Sequence, residues 1–118
     1  MDRFSTTDLG NYRGDNYFLV GYVEPGADDG DDYDPAEDAD NYGYSLVQKA
    51  ESPVDENVEI VRMDTCHDQP HLDKEFLPPD VEAEKKVWLD DGYTFRRMKG
   101  YLLENWQKFV DAHIYYNE

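Results

Sequence analysis

The chain has 118 residues, which is enough for one small domain with a modest core. Apolar residues make up 39% and aromatic residues 14%, which excludes a chain that is disordered throughout. Asp and Glu number 28 against 11 Lys and Arg, so the net charge of −17 disfavours non-specific binding to a phosphate backbone. A single Cys excludes an internal disulfide, and no apolar run reaches membrane-spanning length. We therefore expect a single soluble domain over 1–118, located in the cytoplasm and not in a membrane.

The acidic residues are concentrated early in the chain. Residues 24–41 hold nine acids and no base, and they are predicted to form a mobile acidic loop. A calcium loop is the alternative, but Asp29, Asp31 and Asp34 lack the Gly and Glu that such loops carry at positions six and twelve. The composition is typical of cytosolic proteins from salt-loving organisms. The competing interpretation is an acidic protein that binds a basic partner.

Five segments have the composition or the alternation of β-strands, and Pro and Gly residues separate them. These strands are predicted over residues 16–23, 42–49, 58–64, 71–76 and 84–89. Short links favour antiparallel pairing of consecutive strands. Residues 1–14 are polar and mixed, so they are predicted to form a loose N-terminal arm.

The clearest predicted element is an amphipathic helix over residues 93–113. Its apolar stripe recurs at spacings of three and four, through Phe95, Met98, Leu102, Trp106, Phe109 and His113. Asp91 or Thr94 is predicted to cap its start, and we attribute Gly100 to a close approach between helix and sheet. The predicted fold class is α+β, an antiparallel β-meander of four or five strands packed against one C-terminal α-helix.

The candidate site lies where the third and fourth predicted strands meet. Alternation with a period of two places Ile60, Arg62 and Asp64 on one face of the third strand. If the fourth strand lies beside it, about 5 Å away, His67 or His71 approaches Asp64.

Three chemistries fit these residues. The first is a zinc-type site with ligands from Cys66, His67 and His71, joined by either Asp64 or Asp73. Its spacing lacks the second Cys or His pair of zinc motifs, so we predict neither a metal ion nor a cofactor. The second is acid–base cleavage of RNA, in which a histidine titrates near neutrality while Arg62 holds a phosphate. In the third, purely structural interpretation, these side chains satisfy strand-end hydrogen bonds and Arg62 pairs with Asp64.

The run Ile60-Val-Arg-Met-Asp-Thr-Cys-His-Asp-Gln-Pro-His71 resembles a signature of small TumE-type toxin-like proteins of archaea and bacteria, in which Val-Arg-Tyr-Asp-Asn precedes two histidines. The signature positions are matched by our four candidate catalytic residues, Arg62, Asp64, His67 and His71. Met63 and Thr65 replace the usual Tyr and Asn. The resemblance extends over residues 42–113. It implies a toxin that represses translation or acts on RNA and is held by an antitoxin-like protein partner, or a haloarchaeal relative of unknown function.

A non-enzymatic acidic binding module is the alternative function. The chain has ten tyrosines, and this residue type is favoured at protein interfaces. Tyr17, Tyr42 and Tyr44 would form part of such a surface. A meander also leaves two unpaired edges, through which a homodimer could form.

Overall fold

The computed structural model describes residues 2–24, 41–52, 54–65, 69–77, 85–90 and 92–117. The elements in chain order are β1 (Asp2–Tyr12), β2 (Asp15–Glu24), β3 (Asn41–Gln48), β4 (Val58–Asp64), β5 (His71–Lys74), β6 (Lys86–Trp88) and α1 (Phe95–Tyr116). The strands form an antiparallel sheet in the order β1-β2-β3-β4-β5-β6. The α+β fold class is confirmed, with six strands where four or five were predicted.

The first strand differs from the loose arm that was predicted over residues 1–14. β1 pairs with β2 up to the end of the hairpin, where Tyr12 lies opposite Asp15. The two residues between them, Arg13 and Gly14, have φ of 54° and 94°, and a type I′ turn requires positive φ at both positions. β1 is the edge of the sheet. Backbone hydrogen bonds to β2 therefore hold β1 in place. Its mostly polar sequence lacks the apolar pattern from which the other strands were predicted.

The segment between β2 and β3 begins and ends at paired residues. Glu24 lies opposite Asn41, and the Asn41 side-chain amide donates to Glu24 Oε2 at 3.0 Å. These two positions, at the limits of the predicted acidic loop, are therefore strand residues. The rest of that predicted loop, residues 25–40, lies outside the described residues.

One face of the sheet packs against α1. The predicted stripe is confirmed, since Phe95, Met98 and Leu102 are buried and Trp106 and Phe109 pack partly buried against the core. Val110, which the stripe omitted, is fully buried as well. The opposing sheet residues include Leu46, Ile60, Val61, Met63 and Leu72. Full burial of such a side chain stabilises the fold by about 1.5–3 kcal/mol.

Thr94, one of the two residues predicted to cap α1, caps the start of this helix. Its side chain accepts from the Arg97 backbone N–H at 3.2 Å, while the other predicted cap, Asp91, lies outside the described residues.

The explanation offered for Gly100 is wrong, because this residue is exposed and a Cβ there would meet nothing within 4 Å. The close approach falls at Gly21 on β2, where a Cβ would lie 3.3 Å from the Phe95 ring.

His113 near the end of α1 provides a test of how stability depends on pH. Burial lowers the pKa of His113, while the carboxylate of Asp15 opposes that effect. The Asn117 side-chain amide lies 3.3 Å from Nδ1, where it donates to the neutral ring. Since the unfolded chain then binds the proton more readily, the contribution of His113 to stability is greatest above the ordinary pKa of 6.5 and falls as the pH is lowered through it.

We therefore expect His113→Gln to reduce the loss of unfolding free energy between neutral and mildly acidic pH. Urea unfolding of both proteins at the two pH values measures this difference. An equal loss in the wild type and the variant would contradict the assignment to His113.

Candidate functional site

The pairing of β4 with β5 brings two of the predicted site residues into contact. Asp64 lies directly opposite His71, and Arg62 lies opposite Asp73. Residues paired in this way project from the same face of the sheet. His71 Nε2 lies 3.0 Å from Asp64 Oδ1 and 3.4 Å from Asp73 Oδ2. We refer to Asp64, His71 and Asp73 as the acid–imidazole cluster.

The cluster is deeply placed. The side chains of His71 and Asp64 are only 3% and 6% exposed, and that of Asp73 is 16% exposed. Ionisable groups are seldom buried unless they are paired, because removing a charge from water is costly. Burial of the three groups therefore depends on the contacts between the carboxylates and the imidazole.

The second nitrogen of His71 fixes the state of the ring. Nδ1 lies 3.0 Å from the backbone carbonyl oxygen of Gln69. A carbonyl oxygen only accepts, so Nδ1 carries the hydrogen and donates it. Nε2 then faces one oxygen of each carboxylate. Both ring nitrogens therefore contact protein groups, and Nε2 and the two carboxylates form one set of three potential metal donors.

β6 supplies the other side chains of the site. Trp88 lies opposite His71 and Lys86 lies opposite Asp73. The indole and imidazole rings meet edge to face with their centroids 5.5 Å apart. Lys86 Nζ lies 3.9 Å from Asp73 Oδ1 and 5.3 Å from the centroid of the Trp88 ring. Trp88 is 53% exposed, so its side chain contacts both His71 of the buried cluster and the solvent.

Arg62 does not join the cluster. Its guanidinium pairs with Glu59, with Nη2 and Oε1 3.0 Å apart. The hydroxyl of Ser45 also donates to Glu59 Oε2 at 2.7 Å. Arg62 therefore belongs to a neighbouring polar group on the same face, and the predicted ion pair between Arg62 and Asp64 is wrong.

A β-bulge in β4 explains why Arg62 pairs with Glu59. Leu46 and Val47 are consecutive in β3, but they lie opposite Val61 and Glu59, which leaves Ile60 as the extra residue. The bulge shifts the alternation by one position and brings the two charged side chains of the pair onto one face. The prediction that Ile60 shares the face of the site residues is therefore wrong, because Ile60 lies in the core together with Val61.

Of the four predicted site residues, the structure brings Asp64 and His71 together and separates Arg62 from them. Cys66 and His67 lie outside the described residues, so the proposals for these two are not assessed. Asp73 completes the cluster, and the sequence carries a signal for it, because residues 71 and 73 share a face in any β-strand. Trp88 and Lys86 join through pairing of β6, which local sequence does not reveal.

Gly43 on β3 is a further residue on which the site depends. It lies opposite Asp64, and a Cβ at this position would lie 2.6 Å from Asp64 Cβ and 2.5 Å from the Met63 carbonyl oxygen. Because one of these contacts is to backbone, Gly43→Ala should push β3 away from β4 and destabilise the fold by about 1–3 kcal/mol. Urea unfolding measures the loss.

The matched control for this prediction is Gly100→Ala, at the exposed helical glycine. No heavy atom there would meet the new methyl group, and Ala favours a helix over Gly by about 1 kcal/mol. We expect this control to equal or exceed the wild type in stability. Equal stabilities for Gly43→Ala and the wild type would contradict the close approach.

Comparison with family models, curated proteins and solved structures finds no match for this chain. The similarity to TumE-type toxins therefore stays a prediction from a short motif. No helix among the described residues combines the length and the apolar character needed to cross a membrane. The function is accordingly inferred from the chemistry of the acid–imidazole cluster and its surroundings.

Proposed function

We propose that this protein is a toxin-like protein that acts on RNA or represses translation, and that an antitoxin-like protein partner holds it inactive. The acid–imidazole cluster is the proposed functional centre. The observation that carries the proposal is the direct contact between Asp64 and His71, two residues of the toxin-like motif, at a buried position. Interacting ionisable groups in buried positions are enriched at functional sites.

The neighbours of the cluster are of the types that contact RNA. The Lys86 ammonium can pair with a phosphate, and the exposed indole of Trp88 offers a face on which a base can stack. Both side chains come from β6 and lie on the same face as His71 and Asp73. A strand of RNA that contacted them would lie beside the cluster.

The distribution of charge weakens the main objection to an RNA substrate. Residues 24–41 hold nine of the 28 Asp and Glu residues and none of the 11 Lys and Arg residues, which leaves the rest of the chain with a net charge of −8. About half of the excess negative charge, and of the repulsion of phosphate that it causes, therefore comes from this one segment. The salt-loving archaeal source stays a prediction.

Expression in a sensitive host tests the proposal. We expect the wild type to arrest growth, and His71→Ala and Asp73→Asn each to relieve the arrest. Asp73 is partly exposed, so Asp73→Asn keeps the test informative if His71→Ala fails to fold. Circular dichroism of each variant checks that it is folded.

The matched control is Glu75→Gln, which removes a carboxylate that pairs with Lys85 outside the cluster. This variant should arrest growth as strongly as the wild type. Absence of arrest by the wild type, or arrest that persists in both cluster variants, would contradict the RNA-directed proposal.

A non-enzymatic protein-binding module or dimer is the second candidate, and β1 is the observation that favours it. This edge strand is 11 residues long, and no described strand pairs with its outer side. Such an edge can pair with a strand of a second copy or of another protein. Sedimentation across protein concentrations measures self-association, which Thr6→Lys at an exposed position of β1 should weaken. A monomer at every concentration would remove the homodimer.

A further inference from the structure

We propose that Asp64, His71 and Asp73 bind one divalent first-row transition-metal ion, such as Mn²⁺, Fe²⁺, Co²⁺ or Zn²⁺. This inference goes beyond the RNA-directed proposal, because the site can hold a metal whatever the substrate is. It reverses the expectation from the sequence that the protein has no metal ion. Three observations support it, namely the spacing of the donor atoms, the hydrogen bond at Nδ1 and the charge of the three side chains.

The donor atoms are spaced as the ligands of a single ion are spaced. Two donors that each lie about 2.1 Å from a metal are about 3.0 Å apart at an octahedral angle and about 3.4 Å apart at a tetrahedral angle. The distances from His71 Nε2 to Asp64 Oδ1 and Asp73 Oδ2 are 3.0 Å and 3.4 Å. All three donors lie within 4.8 Å of one another. Since ligands opposite each other on one ion are about 4.2 Å apart, a carboxylate movement of less than about 1 Å completes the site.

The hydrogen bond at Nδ1 prepares the imidazole as a ligand. Histidines that bind a metal usually donate the hydrogen of their other nitrogen to a carbonyl or carboxylate oxygen, which fixes the tautomer and the ring orientation. His71 makes this hydrogen bond to the Gln69 carbonyl oxygen at 3.0 Å. The nitrogen left to bind the ion is Nε2, and this is the atom that faces both carboxylates.

The charges of the three side chains match a divalent ion. With a proton on Nε2, one imidazolium stands against two carboxylates, so the trio keeps one excess negative charge. With a divalent ion and a neutral imidazole, the trio is neutral. A neutral site suits groups as buried as Asp64 and His71. Lys86 lies 3.9 Å from the outer oxygen of Asp73, but its side chain is 39% exposed and water screens its charge.

The donor set indicates which ions the site prefers. Two carboxylate oxygens and one imidazole nitrogen suit Mn²⁺, Fe²⁺, Co²⁺ and Zn²⁺. Mg²⁺ and Ca²⁺ prefer sites made entirely of oxygen ligands, and Cu⁺ prefers sulfur. We therefore expect Mg²⁺ to compete weakly, which separates this site from simple attraction of cations to an acidic chain.

Titration of the full-length protein with Co²⁺ in excess Mg²⁺ tests the site. Co²⁺ is paramagnetic and perturbs the nuclear magnetic resonance signals of nearby nuclei. The Trp88 ring lies 5.5 Å from the His71 ring, whereas Trp106 packs against Tyr12 and Tyr17 of β1 and β2. We expect saturable one-to-one perturbation of the Trp88 indole signal, with the Trp106 signal as an internal control.

Two variants assign the effect to the cluster. Asp73→Asn should weaken Co²⁺ binding at least about tenfold, since it removes one of three ligands. Glu75→Gln should bind like the wild type, because its carboxylate pairs with Lys85. The proposal fails if Trp88 does not respond, if Asp73→Asn binds as tightly as the wild type, or if Co²⁺ perturbs only residues 25–40.

The metal site and the RNA-directed function fail separately. A protein that binds Co²⁺ at Asp64, His71 and Asp73, as the Trp88 signal reports, but causes no growth arrest keeps the metal site and loses the toxin-like function. A protein that arrests growth and shows no Co²⁺ response at Trp88 keeps the toxin-like function and loses the metal site.

Discussion

His71→Leu is expected to lower the free energy of unfolding by about 3–5 kcal/mol, because it leaves buried carboxylates without their imidazole partner. The Asp64 side chain is 6% exposed and its Oδ1 lies 3.0 Å from His71 Nε2, so water cannot replace the lost contact without a change in structure. The leucine supplies apolar volume, and the loss is therefore attributed to the charge and not to a cavity. Urea unfolding with a chelator present measures it without a contribution from bound metal.

The double variant Asp64→Leu with His71→Leu separates charge from packing. Replacing both partners of a buried pair by apolar residues is often neutral or stabilising, so the second change should restore much of the lost stability. A surface comparison is Lys85→Met, which breaks the partly exposed pair with Glu75 and should cost no more than about 1 kcal/mol. If His71→Leu costs as little as Lys85→Met, the cluster does not contribute to stability as argued.

Phe95→Ala is the second change with a large expected effect, a loss of about 3–5 kcal/mol. Phe95 begins α1 and is only 2% exposed. Its ring stacks on Tyr44 with centroids 4.5 Å apart, and it meets Phe4 and Tyr42 edge to face at 5.7 Å and 5.8 Å. Removal of the ring therefore weakens contacts from the helix to both β1 and β3. Thermal and urea unfolding measure the loss.

Leu103→Ala is the matched control, because Leu103 lies on the exposed side of α1 and is 44% exposed. We expect this control to change stability by less than about 1 kcal/mol. Phe95→Leu should fall between the two, since it keeps part of the buried volume. Similar losses for Phe95→Ala and Leu103→Ala would mean that the aromatic contacts do not hold the helix on the sheet.

The parts of the fold that the sequence predicts are those with a local signal. The apolar and β-branched composition identifies β4 over 58–64, although alternation assigns Ile60 to the wrong face, and helical spacing identifies the buried side of α1. β1 has no comparable signal, because its residues 2–12 are mostly polar with no regular alternation and its hydrogen bonds come from a separate strand. Local pattern is therefore informative wherever a strand or helix buries a face, and much less so at the edge of the sheet.

The candidate site was predictable to the extent that it follows from pairing of neighbouring strands. The contact between Asp64 and His71 is of this kind, since β4 and β5 are joined by a short connection. The bulge at Ile60 was not predictable, because consecutive apolar residues are compatible with either register until β3 is in place. The requirement for Gly43 has the same origin, as it depends on how closely two strands approach.

The sheet has the same order in space as in the chain, and this has a consequence for the path of folding. Each new strand can add to the one made just before it, so the sheet can grow by successive hairpins on a microsecond scale while synthesis is still in progress. Docking of α1 onto the sheet, where it contacts β1, β2, β3 and β4, joins described elements that are distant in the chain. We expect this last step to limit the folding rate. Nascent chains that lack α1 should expose the apolar face of the sheet, which chaperones recognise.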